Sequence, residues 1–130
     1  MKILEKKIIL ISLVSRALIL IVGALLGGLI EDYDSSTELR LDESDSSNWI
    51  TKLFLPFYKW DSVYFMQIST NGYEYEQYHA FFPAYPLLIS LFSSFFNFFS
   101  PFLSSFTIHL ISALIISNLS FVIANLYLFK

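Results

Sequence analysis

From Ala80 to Phe129 the chain runs for fifty residues without a single Asp, Glu, Lys or Arg. A soluble domain carries about 25% charged residues, so a stretch of this length has no water-facing surface to offer and belongs in lipid. It is too long for one span of roughly 20 residues and suits two joined by a tight turn. Ser100-Pro101 supplies the break. The helices are expected at 82–99, with Pro83 and Pro86 in a first turn where a missing N–H removes no intrahelical bond, and at 107–129. Near the other end, Ile8 to Ile30 holds one charge, Arg16, and reaches about 34 Å as a helix, enough for a hydrocarbon core of about 30 Å. A cleaved signal peptide competes for this segment, but its apolar region would run about 7–15 residues and no A-x-A site follows.

The reading is therefore an all-α membrane protein with about three transmembrane helices at 8–30, 82–99 and 107–129. With 55% apolar residues, disorder is excluded for most of the chain. A net charge of −3 excludes a nucleic-acid partner, and the lack of cysteine removes disulfides and thiolate metal sites. Lys2, Lys6 and Lys7 precede the first apolar run, while ten of the eleven acidic residues lie between Glu31 and Glu76. By the positive-inside rule, residues 1–7 are a cytoplasmic N-terminus and the loop 31–79 faces the lumen, or the outside of a bacterium. Arg16 is expected to snorkel to the cytoplasmic interface in preference to pairing inside a bundle. His109 reads as a buried hydrogen-bonding residue, and the Asn118-Leu119-Ser120 sequon lies mid-span, out of reach of glycosylation.

The loop divides in two. Residues 31–47 are acidic, serine-rich and too poor in apolar side chains to offset ordering entropy, so they read as flexible and solvated. Asp42, Glu43 and Asp45 lack the glycine turn and terminal Glu of an EF-hand calcium loop. Residues 48–79 are dense in interfacial aromatics, among them Trp49, Phe54, Phe57, Tyr58, Trp60, Tyr64 and Phe65. Pro56 is expected to divide two short interfacial helices, the second from about Trp60 to Ser69 and ended by Asn71-Gly72. Asp61, beside Trp60, has two readings: a helix N-cap accepting backbone N–H bonds, or a carboxylate held for a chemical task such as general base. Glu74 and Glu76 alternate with tyrosines as a solvated edge. His79 lacks a second His or a Cys to complete a metal site.

Three clusters in order carry a resemblance: Trp60-Asp61-x-x-Tyr64-Phe65, then Gly72-Tyr73-x-Tyr75-Glu76, then Ala80-Phe81-Phe82-Pro83-x-x-Pro86. With Ser15-Arg16 in the first span, this pattern resembles the GPI mannosyltransferase 2 (PIG-V) family. The resemblance implies the N-terminal part of a GT-C type glycosyltransferase of the endoplasmic reticulum membrane. Such an enzyme transfers the second mannose, in α1,6 linkage, from dolichyl-phosphate-mannose to the glycosylphosphatidylinositol (GPI) precursor. It implies Asp61 as catalytic base, and Trp60, Tyr64, Glu76, Phe82 and Pro83 as substrate-binding positions. The partners it implies are the donor, the GPI glycolipid, the membrane and a small membrane accessory subunit; no cofactor is called for and no residue is assigned as a metal ligand. Members are several times longer, so the chain is expected to be an N-terminal fragment, inactive alone. Two alternatives stand: another GT-C enzyme using a polyprenyl-phosphate sugar, or a small non-catalytic membrane protein using the aromatic loop for assembly.

Overall fold

The computed structural model describes residues 2–29, 48–100 and 102–129. The acidic segment 31–47 and the carboxylates Asp42, Glu43 and Asp45 lie outside the described residues. Helix α1 runs Lys2–Leu29, α2 Trp49–Phe54, α3 Asp61–Asn71, α4 Ala84–Phe99 and α5 Ser105–Leu128, with 3-10 turns at Leu55–Phe57 and Glu76–Ala80. No strand occurs among the described residues, so the expected all-helical class holds.

Among the described residues two helices are long and apolar enough to cross a membrane: α1, over Ile3–Gly27, and α5. The segment expected to be the second span folds as α4, which has 16 residues. That is about 24 Å of helix, short of the roughly 30 Å core. Its start follows the proline logic. Pro83 is the N-cap, the first bond runs from the Leu87 N–H to the Pro83 carbonyl at 3.0 Å, and Pro86 sits where no N–H is called for.

α1 and α5 are antiparallel. At the middle of α1, the Arg16 guanidinium carbon lies 3.5 Å from the centre of the Phe121 ring, in the second half of α5. Toward its C-terminus, Gly23 and Gly27 receive the rings of Phe57 and Pro56. The segment bearing those rings is joined to the start of α5: Thr51 and Thr107 share a hydroxyl hydrogen bond of 2.7 Å, and Tyr58 packs edge-on against Phe106 at 5.0 Å. Three successive spans would have set α1 and α5 parallel. Arg16 also departs from the snorkelling expectation. Its guanidinium turns onto Phe121, an attraction worth about 2 kcal/mol where desolvated, and its Nε is buried without a hydrogen-bond partner.

A small core seats the 3-10 turn Leu55–Phe57 and α3 on the first half of α5. Tyr58, Val63, Met66 and Leu110 are buried together, with Phe54, Leu55, Phe106 and Ala113 packed around them. Ser104 caps α5 by accepting from the Thr107 N–H, and its hydroxyl also lies 2.8 Å from Thr107 Oγ1. The hydroxyls of Ser104, Thr107 and Thr51 thus form one chain, and both threonines are fully buried. Thr107→Val strands the Thr51 hydroxyl, a cost of about 1–3 kcal/mol. A lowered midpoint in detergent thermal melts is the expected result, with Thr107→Ser close to wild type. His109 is buried with Nδ1 at 2.8 Å from the Ser105 carbonyl, as its sequence position suggested.

Candidate functional site

The site is assembled from the N-terminus of α3, the turn Glu76–Ala80 and the junction into α4. Asp61 is the first residue of α3, and its carboxylate is exposed. It is not the N-cap. That place belongs to Trp60, and no side chain caps the helix. Instead the Ser62 hydroxyl donates to the Lys59 carbonyl at 2.6 Å, and the Val63 N–H to that of Trp60 at 3.2 Å. The capping reading of Asp61 therefore fails, and the residue stands exposed in the helix's first turn.

Trp60 has φ 55° and ψ −129°, and it is the one non-glycine residue with positive φ among the described residues. A backbone held there costs about 1–3 kcal/mol. The strain breaks the chain direction sharply before α3, leaving the indole 90% exposed beside Asp61. A relaxed Trp60 would carry the helix start, and Asp61 with it, elsewhere.

Aromatic rings fix the remaining elements to α3. Tyr64 stacks on Phe81 with centroids 5.0 Å apart and meets Tyr78 edge-on at 6.0 Å. Phe65 contacts Phe81 and Tyr85, each at 5.1 Å. Tyr64 follows Asp61 by three positions and Tyr78 follows Glu76 by two, so this cluster holds the elements bearing both carboxylates together. Edge-on and offset ring pairs are each worth about 0.5–1.5 kcal/mol beyond their burial. Of the expected binding positions, Trp60, Glu76, Phe82 and Pro83 are exposed, whereas Tyr64 is half-buried and spends its ring on packing.

Two cavities lie at the far end of α3 from Asp61. One, of about 400 Å³, is lined by Ser69, Thr70, Tyr73, Pro83, Leu87 and Ser90 among others. The second, of about 270 Å³, is lined by Tyr73, His79, Phe81 and Pro83. Tyr73 and Pro83 line both, so the two make one groove. The Tyr73 hydroxyl donates to the Phe81 carbonyl at 2.7 Å, and its ring lies 5.0 Å from that of His79. Tyr73 had no assigned role in the sequence reading, although the motif Gly72-Tyr73 contains it. What prepares the groove is Gly72, whose φ of 80° and ψ of −161° close α3 in a conformation open essentially only to glycine. Among the described residues no group of three or more His, Asp or Glu side chains gathers as a metal site.

The family model described as mannosyltransferase (PIG-V) matches residues 5–130. A GPI mannosyltransferase 2 from Aspergillus fumigatus is 40% identical over 83 residues, 61% of this chain and 18% of that protein. A GPI alpha-1,6-mannosyltransferase 2 from Rattus norvegicus is 28% identical over 123 residues, 92% of this chain and 25% of the relative. A GPI mannosyltransferase 2 from Drosophila melanogaster is 26% identical over 91 residues, 66% of this chain and 20% of its own. The chain thus spans a quarter or less of the length of these relatives. No solved structure gives a significant match.

Proposed function

The chain belongs to the mannosyltransferase (PIG-V) family, and from that premise we propose that it forms the N-terminal, acid-bearing part of a GPI mannosyltransferase 2. The proposed activity is transfer of the second mannose, in α1,6 linkage, from dolichyl-phosphate-mannose to the GPI precursor. It takes place on the lumenal face of the endoplasmic reticulum membrane, within a GT-C architecture, with the basic N-terminus cytoplasmic. The observation that carries the reading is Asp61: a carboxylate free of capping duty, at a helix start held by a strained Trp60, inside the region shared with the named mannosyltransferases.

In the proposed reaction, Asp61 takes the proton from the attacking hydroxyl of the acceptor mannose. The hydroxyl oxygen bonds to C1 of the donor mannose from the face opposite the phosphate. The C1–O bond to phosphate breaks, and dolichyl phosphate leaves with the electron pair. A base is needed because the neutral hydroxyl is a weak nucleophile, and positioned general bases contribute typically about 10²–10⁴-fold. The leaving phosphate calls for cationic stabilisation. Lys52, Lys59 and His79 are the basic side chains of the described loop, and they lie off the three motif clusters, so the donor phosphate is assigned to the rest of the enzyme.

Glu76 is exposed on the turn tied to α3 by Tyr78 and is proposed to meet the glucosamine ammonium of the acceptor in a charge-assisted contact. Glu76→Gln is expected to raise the KM for the free-amine acceptor and to leave that for an N-acetylated acceptor unchanged. Equal rates on both acceptors in wild type and variant would remove this role.

The function is tested by a chimera in which this chain replaces the matching N-terminal segment of the rat relative, in cells lacking that enzyme. Second-mannose addition, followed by chromatography of radiolabelled GPI precursors, is expected to return. Persistent accumulation of the one-mannose precursor with a correctly inserted chimera would overturn the assignment.

A further inference from the structure

We infer that α4 is not a membrane span but lies within a single leaflet, the one at the C-terminal end of α1, with its exposed apolar ridge against lipid acyl chains, so that the described chain crosses the bilayer twice. Three independent features carry this. At 16 residues and about 24 Å, α4 is shorter than the hydrocarbon core. Both of its ends are anchored on the same side. Its first turn is tied to the first half of α5 by a 3.0 Å hydrogen bond from the Tyr85 hydroxyl to the Ala113 carbonyl, and it is joined through Phe65 to α3, which packs on that same half. Its last turn leads through a tight turn, with the Leu103 N–H donating to the Ser100 carbonyl, into the start of α5. That start is the end of α5 fastened to the segment that packs on Gly23 and Gly27 of α1. Because α1 and α5 are antiparallel, a descent through α4 would leave α5 running the wrong way.

The third feature is the surface. Pro86, Ile89 and Ser93 are buried along one side of α4, while Leu87, Leu91, Phe95 and Phe98 stand 62–83% exposed along the other. Positions i, i+4, i+8 and i+11 form a single ridge on a 3.6-residue helix. No charge interrupts it, and Ser93 and Ser94 satisfy their hydroxyls on the carbonyls of Ile89 and Ser90, four residues back. Such a face suits acyl chains, and it continues the apolar surface of α5, against which α4 packs. Helices with an apolar side of this kind lie along a membrane with that side buried about 5–10 Å into it. The inference rests on helix packing alone and stands apart from the transfer chemistry assigned to Asp61.

The absence of cysteine in the chain makes the test direct. A Gly-Ser linker carrying one cysteine, inserted after Phe102 in the full chain, places that thiol in water on one side of the membrane or the other. In sealed microsomes an impermeant maleimide is expected to label it from the side that labels Glu74→Cys and not from the side that labels Lys6→Cys. Labelling from the Lys6 side would establish a spanning α4 and overturn the proposal. Nitroxides on Leu91→Cys and Phe98→Cys then read the occupant of the ridge. Oxygen accessibility well above that of a water-soluble nickel chelate is expected. Low accessibility to both would mean a protein segment covers the ridge, high accessibility to the chelate would mean water does, and either result would overturn lipid contact.

Discussion

Asp61→Asn in the rat chimera is expected to lower the rate of second-mannose addition by about 10²–10⁴-fold, the range a positioned general base supplies, with unchanged membrane insertion. The amide keeps the size of the carboxylate but cannot take up a proton from the mannose hydroxyl. The structure sharpens this test, since Asp61 makes no cap and is exposed, so no folding role stands in the way. Loss of kcat with KM retained is the expected pattern, and the one-mannose precursor should accumulate. Formation of the two-mannose product at the wild-type rate would dismiss Asp61 as the base. A companion substitution, Ser62→Ala, removes only the short bond to the Lys59 carbonyl and is expected to stay within a few-fold of wild type.

Gly27→Leu is expected to detach α1 from the interfacial turn. A Cβ built at Gly27 would overlap the Pro56 ring, and one at Gly23 would come within 2.7 Å of the Phe57 ring. In lipid there is little hydrophobic drive for helices to associate, so close backbone approach through small residues supplies the contact. Proline has no flexible end to move aside, and overpacking of this kind costs about 1–3 kcal/mol, occasionally more. The checks are a thermal melt in detergent and a disulfide crosslink between Ser12→Cys and a series of cysteines in the second half of α5. The crosslink is expected to weaken in Gly27→Leu and, to a smaller extent, in Gly27→Ser, since any Cβ there meets the Pro56 ring. An unchanged melt and crosslink for the leucine variant would show that the turn and α1 are not packed as described.

The two glycines show where sequence reasoning fell short. Gly23-x-x-x-Gly27 stood in the first span, but a small-residue pair names no partner until another ring is seen against it. Arg16 is a similar case, because its place in the first span said nothing of whether its side chain turns to the interface or to a neighbour. Phe121 settles that, from more than a hundred positions away in sequence. The loop was more legible. Pro56 did interrupt the interfacial helices, as a 3-10 turn, and Gly72 did end α3, two residues beyond the expected limit. Both outcomes follow from local backbone chemistry, the missing N–H of proline and the positive φ of glycine. Of the two readings of Asp61 the cap is the one that fails, because α3 takes Trp60 as its N-cap at a positive φ that no propensity announces.

The sequence by itself determined that this chain is helical and apolar enough for membranes, because fifty uncharged residues must satisfy their backbone groups internally once water is gone. It also determined the family, through three clusters of side chains whose order survives without any knowledge of the fold. The tertiary structure alone decided that α1 and α5 run antiparallel, that α4 is a 16-residue helix whose last turn leads into the start of α5, and that Asp61 stands free of its helix cap. The physical reason is that apolarity measures transfer from water and has no direction along the membrane normal. Direction is set by contacts such as Thr51 with Thr107 and Arg16 with Phe121, which join residues far apart in the chain.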